Sequence, residues 1–321
     1  MSKNSVDSTK FRIFAKILKS GRENSISWTA AIPVIVGVAV YGFWYFGHPE
    51  VLMSQEQSQL FVWDSVYLHD RLEMPGGWGD YLWSSVVQFF CSPMQGAFTM
   101  ALLCVVLQLL SMWLFHRLLR KRWRVVSALL SLILPVLLCV MAYKPVGGSM
   151  EELEYDYLLR LGKWEEIVDK DQQNKTMMVS CQNAVRIALW KTGRLEPQYL
   201  QACLMNHKES LTSRVSAYMM SDIYMMIGQV GMAQRAAFEA MESIEDYDKS
   251  GRALMRLTET SLITGRPEVA LKYISLLERT LFYRSWAKKM RPLAEHPELL
   301  KGTVYEQLKQ TYEKSENLLF Y

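Results

Sequence analysis

Cysteine and histidine offer this 321-residue chain its most versatile chemistry, and their spacing does not concentrate it. Cys91, Cys104, Cys139, Cys181 and Cys203 form no C-x-x-C pair, and His48, His69, His116, His207 and His296 are scattered without a zinc-type spacing. Cys104 and Cys139 lie inside apolar runs, where a thiol acts as a small buried hydrophobe. Only Cys181 and Cys203 could pair, and only in an oxidising compartment, and the sequence does not supply the geometry a disulfide needs. The chain has no G-x-S-x-G elbow, no P-loop and no dinucleotide fingerprint. These absences predict no catalytic residues, no metal and no cofactor, and they favour a binding protein over an enzyme.

What must be positioned is therefore a surface, and composition says where. Residues 1–143 carry 12 Lys/Arg against 8 Asp/Glu, whereas 144–321 carry 24 of each. The net charge of +4 thus belongs to the first half, and a neutral second half gives no electrostatic ground for a nucleic-acid partner. Uncharged runs at 28–46, 97–115 and 125–143 are each long enough, at about 1.5 Å per helical residue, to match the hydrocarbon core of a bilayer. Pro135 in the third run is tolerable as a kink. The first run is longer than the usual signal-peptide core and ends in aromatics, so it reads as an uncleaved anchor.

Basic residues set the orientation. Lys3, Lys10, Arg12, Lys16, Lys19 and Arg22 lie in the N-terminal segment 1–27, and Arg117, Arg120, Lys121, Arg122 and Arg124 fill the link between runs two and three. The intervening loop, 47–96, holds Arg71 alone among six acids. The positive-inside rule then predicts a multi-pass inner-membrane protein of a bacterium, with a cytoplasmic N-terminus and residues 144–321 in the periplasm.

The loop is acidic and aromatic. Ser54 to Glu73 reads as a helix with Leu60, Trp63 and Tyr67 on one stripe, broken by Pro75-Gly76-Gly77. Tyr81 to Phe90 resumes as an apolar stretch too short to span, and the pair is expected to lie at the membrane interface, in contact with lipid. The series Glu56-Gln57, Tyr67, Arg71, Pro75-Gly76-Gly77, Asp80-Tyr81, Gln88-Phe89-Phe90 and Pro93 resembles the start of an uncharacterised Bacteroidetes family of multi-span membrane proteins with C-terminal helical repeats. The resemblance covers residues 30–145, and the chain departs from it in having only three spans. It implies a fold and no activity. A more distant likeness is to lipid-linked glycosyltransferases, whose first outer loop carries a catalytic acid. That resemblance would give the role to Glu56 or Asp64, and makes a truncated or divergent enzyme of this kind the alternative function.

In the second half, Gly162, Gly193, Gly228 and Gly265 recur at intervals of 31, 35 and 37 residues. A period of about 34 resembles that of tetratricopeptide repeats, stacked helical hairpins that build an α-solenoid. Met220, Ser221 and Tyr224 before Gly228, and Leu254, Leu257 and Thr258 before Gly265, fit the family pattern of small residues at helix crossings. The first two repeats depart from it at Asp171 and Arg186. The predicted class is all-α: three transmembrane helices, then an α-solenoid over 144–321. The function predicted from that architecture is a membrane-anchored scaffold or adaptor for an unidentified protein or peptide. In the register of the last two hairpins, Tyr218, Asp222, Met225, Arg252, Glu259 and Leu262 would line its open groove.

Overall fold

The structure is a computed structural model, and it describes residues 31–119, 124–204, 207–245 and 248–314. The basic residues of the N-terminal segment, Arg120, Lys121 and Arg122 lie outside the described residues, as do the side chains of Arg124 and Cys203. The described residues are all-α, without a strand among them. They divide into two compact units that interleave along the chain: Met1–Gly47 with Ala97–Tyr143, and His48–Gly96 with Lys144–Tyr321. The loop that the sequence assigns to the membrane region thus belongs with the C-terminal helices.

The first unit contains α1 (Ala31–Gly47), most of α5 (Pro93–Leu118), α6 (Arg124–Leu130) and α7 (Ile133–Ala142). Among the described residues only α5 is by itself long and apolar enough to cross a membrane, with a mean hydropathy of 2.2. Of the three expected spans, this is the one that passes by itself. Helix α1 passes the same test only together with α2 (Pro49–Glu56), from which an 81° bend divides it, and the third run, Val126–Ala142, is shorter. That third run is interrupted by a turn at 131–132 just ahead of Pro135. Proline has no N–H to offer the carbonyl four residues back. The Ser111 hydroxyl of α5 donates to that carbonyl, Ser131 O, at 3.0 Å. Large apolar side chains stand open on these helices, among them Val38, Phe98, Leu102, Leu110, Leu137 and Val140.

The second unit begins with the loop. The end of α2 and α3 (Ser65–Leu72) replace the single helix expected over Ser54–Glu73, and α4 (Gly77–Val87) follows the break. That helix is interrupted because Asp64, extended at φ −144°, turns its carboxylate onto the Val66 N–H and opens α3 as an N-cap. Then follow α8 (Met150–Arg160), α9 (Trp164–Gln173), α10 (Val179–Lys191), α11 (Pro197–Cys203), α12 (His207–Ser210), α13 (Arg214–Met226), α14 (Val230–Glu242), α15 (Gly251–Ile263), α16 (Pro267–Leu277), α17 (Arg284–Glu295) and α18 (Val304–Lys314). The Ser149 and Glu152 side chains form a reciprocal capping box at the start of α8.

A shared device ends the first helix of each hairpin. Gly228 at φ 79° closes α13 while Gln229 N–H reaches back to Tyr224 O, and Gly265 at φ 74° closes α15 with Arg266 N–H on Ser261 O. This left-handed cap satisfies terminal carbonyls and reverses the chain, and only glycine adopts it without strain. Ala233, Ala236, Ala237 and Ala240 of α14 are buried, as small residues must be where helices approach closely.

Every residue of α2 is buried, and burial continues through Gln57 and Ser58. Leu60 and Val62 enter the same apolar core as Leu254, Leu262, Ile274, Leu277 and Met290. Each such aliphatic side chain contributes about 2 kcal/mol by leaving water. This part of the loop, expected at the membrane interface, is buried in protein. Its apolar residues find their partners among the C-terminal helices.

Candidate functional site

Three neighbouring helices bring charge inward. On α13, Tyr218 and Asp222 are one turn apart, and on α15 Arg252, Arg256 and Glu259 follow at helical spacing. Helix α8 supplies Asp156 from a buried face that it shares with Glu152, Leu153, Tyr155 and Leu159. Arg252 is the centre: its guanidinium binds Asp156 through both nitrogens at 2.8 and 2.9 Å, pairs with Asp222, and lies 5.2 Å from the centroid of the Tyr218 ring. Arg256 donates to Asp222 at 2.7 Å and to Glu259 at 2.8 Å, and the Tyr305 hydroxyl of α18 donates to Glu259 at 3.1 Å. The five charged side chains are all less than a fifth exposed.

The loop closes the cluster. Arg252 donates to the Gln57 side-chain oxygen at 2.8 Å, and Tyr218 donates its hydroxyl to the Gln57 carbonyl at 2.8 Å. Arg214 donates to Ser58 at 2.9 Å. Tyr283 donates to the Glu56 carboxyl at 2.5 Å, and the other carboxyl oxygen, Oε2, is buried without a partner. This contact depends on Gly251, because a Cβ there would stand 2.2 Å from the Tyr283 ring. The same juxtaposition is what lets a bulky ring cross the first turn of α15.

Burial and charge oppose each other in this cluster. Burial raises the proton affinity of Asp222, but Arg252 and Arg256 outweigh it and hold the carboxyl at about 2. At Glu56 burial prevails over the Tyr283 hydrogen bond, and the carboxyl is shifted upward. Glu259 is also shifted upward by burial, only partly offset by Arg256. A buried ion cluster of this kind is costly to open, since removing one partner strands the others.

The groove expected from the repeat register is therefore not open. Tyr218 and Leu262 are buried, Met225 packs against the core of α10 and α13, and Asp222, Arg252 and Glu259 are engaged with one another and with neighbouring side chains. Met220 and Leu257, expected to pack between the helices, are buried as well. What the register lacks is the occupant, which is the chain's own loop. Of the loop acids, Glu56 sits beneath that seal, whereas Asp64 caps α3 and pairs with Arg279 at 2.7 Å.

Sequence reasoning missed Gln57, Asp156, Arg256, Tyr283 and Tyr305. Only Asp156 had a local signal, as an acid on the apolar stripe of α8. Burial pushes Cys91 up to about 11 and Cys181 up to about 12, which leaves both as thiols, and Cys181 is free. A separate cavity of about 520 Å³ opens beside α3, lined by Tyr67, Arg71, Asp248, Lys249 and Arg279 among others, and Glu56 is not in its wall. Among the described residues no group of His, Cys, Asp and Glu is arranged to hold a metal ion.

The chain belongs to a family of unknown function, DUF6057, whose model matches residues 24–147 and 147–320. No curated protein and no solved structure matches it.

Proposed function

We propose that this member of the family is a membrane-anchored scaffold whose stacked hairpins form a protein-binding unit outside the cytoplasm. The observation that carries the reading is the seating of Glu56-Gln57-Ser58 on α13 and α15. The hairpin face that a tetratricopeptide-like protein would use for recognition grips the chain's own loop. A partner is then met by the outward faces, where Tyr199, Met226 and Phe238 are exposed. The open apolar side chains of α1, α5 and α7 support immersion in lipid, and the three uncharged runs with their basic flanks support three spans and a periplasmic second unit.

Alkaline phosphatase fused after Tyr321 and, separately, after Arg120 tests the orientation: activity is expected at Tyr321 only. Photocrosslinking in the native membrane from Tyr199, Met226 and Phe238 tests the binding role. The same protein should be captured from at least one of these positions and not from buried Met219. Capture of nothing from all three would remove the scaffold reading.

A second reading rests on Glu56, whose buried carboxyl has one unpartnered oxygen and a raised proton affinity, as a general acid requires. It makes the loop the remnant of a lipid-linked glycosyltransferase-like site. Glu56→Gln separates the two readings. The scaffold keeps its cellular phenotype at unchanged protein level, and an enzyme loses it.

A further inference from the structure

Helix α4 has two unlike faces. Ser84 and Val87 are buried, and Tyr81 packs against Phe61 at 5.1 Å. Trp78 and Leu82, one turn apart, point away and are 66% and 60% exposed. The outward row continues to Phe89, which meets the Phe282 ring edge-on at 5.4 Å, and Leu281 beside it is 48% exposed. The turn between α16 and α17 therefore adds its apolar tip to the row. Immediately after it, Arg284, Lys288 and Lys289 are exposed on the first turns of α17. Five large apolar side chains with a basic border make an unusual surface to leave in water.

Chain length restricts what covers it. Only three residues separate Phe89 from Pro93, the first residue of α5, so at most about 14 Å of extended chain lies between them. The headgroup region on each side of a bilayer is about 5–8 Å deep. Trp, Phe and Leu on one face with cations alongside are the composition of a surface that rests in that region. A soluble partner would need to displace the bilayer from a patch tethered to its edge.

We infer that Trp78, Leu82, Phe89, Leu281 and Phe282 seat the second unit on the bilayer surface, with Arg284, Lys288 and Lys289 placed for anionic phospholipid headgroups. The inference rests on the reading of α5 as a span. It deepens the scaffold proposal by giving the hairpins a second, non-covalent hold on the membrane through the α16–α17 turn, far along the chain from any apolar run.

The full chain is reconstituted in phosphatidylethanolamine vesicles containing phosphatidylglycerol, with the photoreactive residue benzoylphenylalanine at one position at a time. Leu281 and Leu82 report the patch, Phe98 reports the span, and Met177, which is 84% exposed, reports bulk water. Intact-mass measurement should find roughly tenfold more phospholipid adduct at Leu281 and Leu82 than at Met177, at a level near that of Phe98. Arg284→Glu with Lys288→Glu should lower the Leu281 adduct several-fold in these vesicles and leave it unchanged in phosphatidylcholine alone. Labelling of Phe98 with Leu281 at the Met177 level overturns the membrane seat and leaves the span intact. Failure at Phe98 as well overturns the span reading from which the inference starts. A crosslink from Leu281 to a second copy of the chain also overturns it, in favour of an interface between copies.

Discussion

The Tyr218 hydroxyl donates to the main-chain carbonyl of Gln57, across 161 residues of sequence. A side chain whose register marks it for contact with a partner is thus in contact with the loop of its own chain. Tyr218 is fully desolvated there, and burial pushes its phenol up to about 12, so it acts as a fixed donor over the physiological range. Changing Tyr218→Phe should weaken the seating of the loop by about 1 kcal/mol, the usual worth of one such hydrogen bond. Denaturant unfolding of the full chain in detergent would measure it.

Arg252 should be far more sensitive. Arg252→Met leaves Asp156 and Asp222 buried without their shared cation, and a loss of about 3–5 kcal/mol is expected. Asp156→Asn and Asp222→Asn should each cost less in the Arg252→Met background than alone. Strict additivity in that cycle would show that the contacts are energetically independent and the cluster is not a unit.

Gly251→Ala tests the close approach of Tyr283. The added methyl collides with the ring, and the ring must leave Glu56 to make room. Destabilisation of about 1–3 kcal/mol is expected, by the measure of other overpacked sites. In a Tyr283→Leu background the same substitution should be nearly neutral. An equal cost in both backgrounds would place the strain elsewhere on α15.

Stability should pass through a maximum in mildly acid solution. Burial raises Glu56, Glu259 and Glu50 above 4.5, so each stabilises the folded chain as the pH falls through its raised value, with the gain complete below 4.5. Asp222 works in the opposite sense. Its contribution of about 2 kcal/mol is present above 3.8 and is lost as the pH falls toward 2. The thermal midpoint should rise as the pH falls toward 4.5 and drop once it passes below 3.8. In Glu56→Gln the rise should shrink, and a midpoint that declines steadily from pH 7 would contradict the burial of these acids.

The periodic parts of the fold were legible in the sequence. Gly228 and Gly265 announce their turns because a positive φ demands glycine, and Ser149 with Glu152 announces the start of α8 because a capping box is local. The apolar character of α5 follows from composition alone. The fate of the loop was not legible, because its contacts with α13, α15 and the α16–α17 turn are made over more than 150 residues and leave no local pattern. The candidate groove was misread for the same reason. Spacing identifies the face of a helix that is free of its own hairpin, and it cannot say that Gln57 already covers that face. Pro135 shows the reverse case, in which a residue read correctly as a kink needed Ser111 from another helix to complete it.

The interleaving of the two units has a consequence for biosynthesis. Glu56 emerges from the ribosome 227 residues before Tyr283, and α5 and the apolar pair α6–α7 are made in the interval. During that time α2, every residue of which ends buried, lacks the part of its cover that Tyr283 supplies. Segments left waiting in this way are where chaperones and proteases act. A chain arrested before α17 would leave Glu56 without the Tyr283 hydroxyl, a mark by which unfinished copies could be recognised and removed.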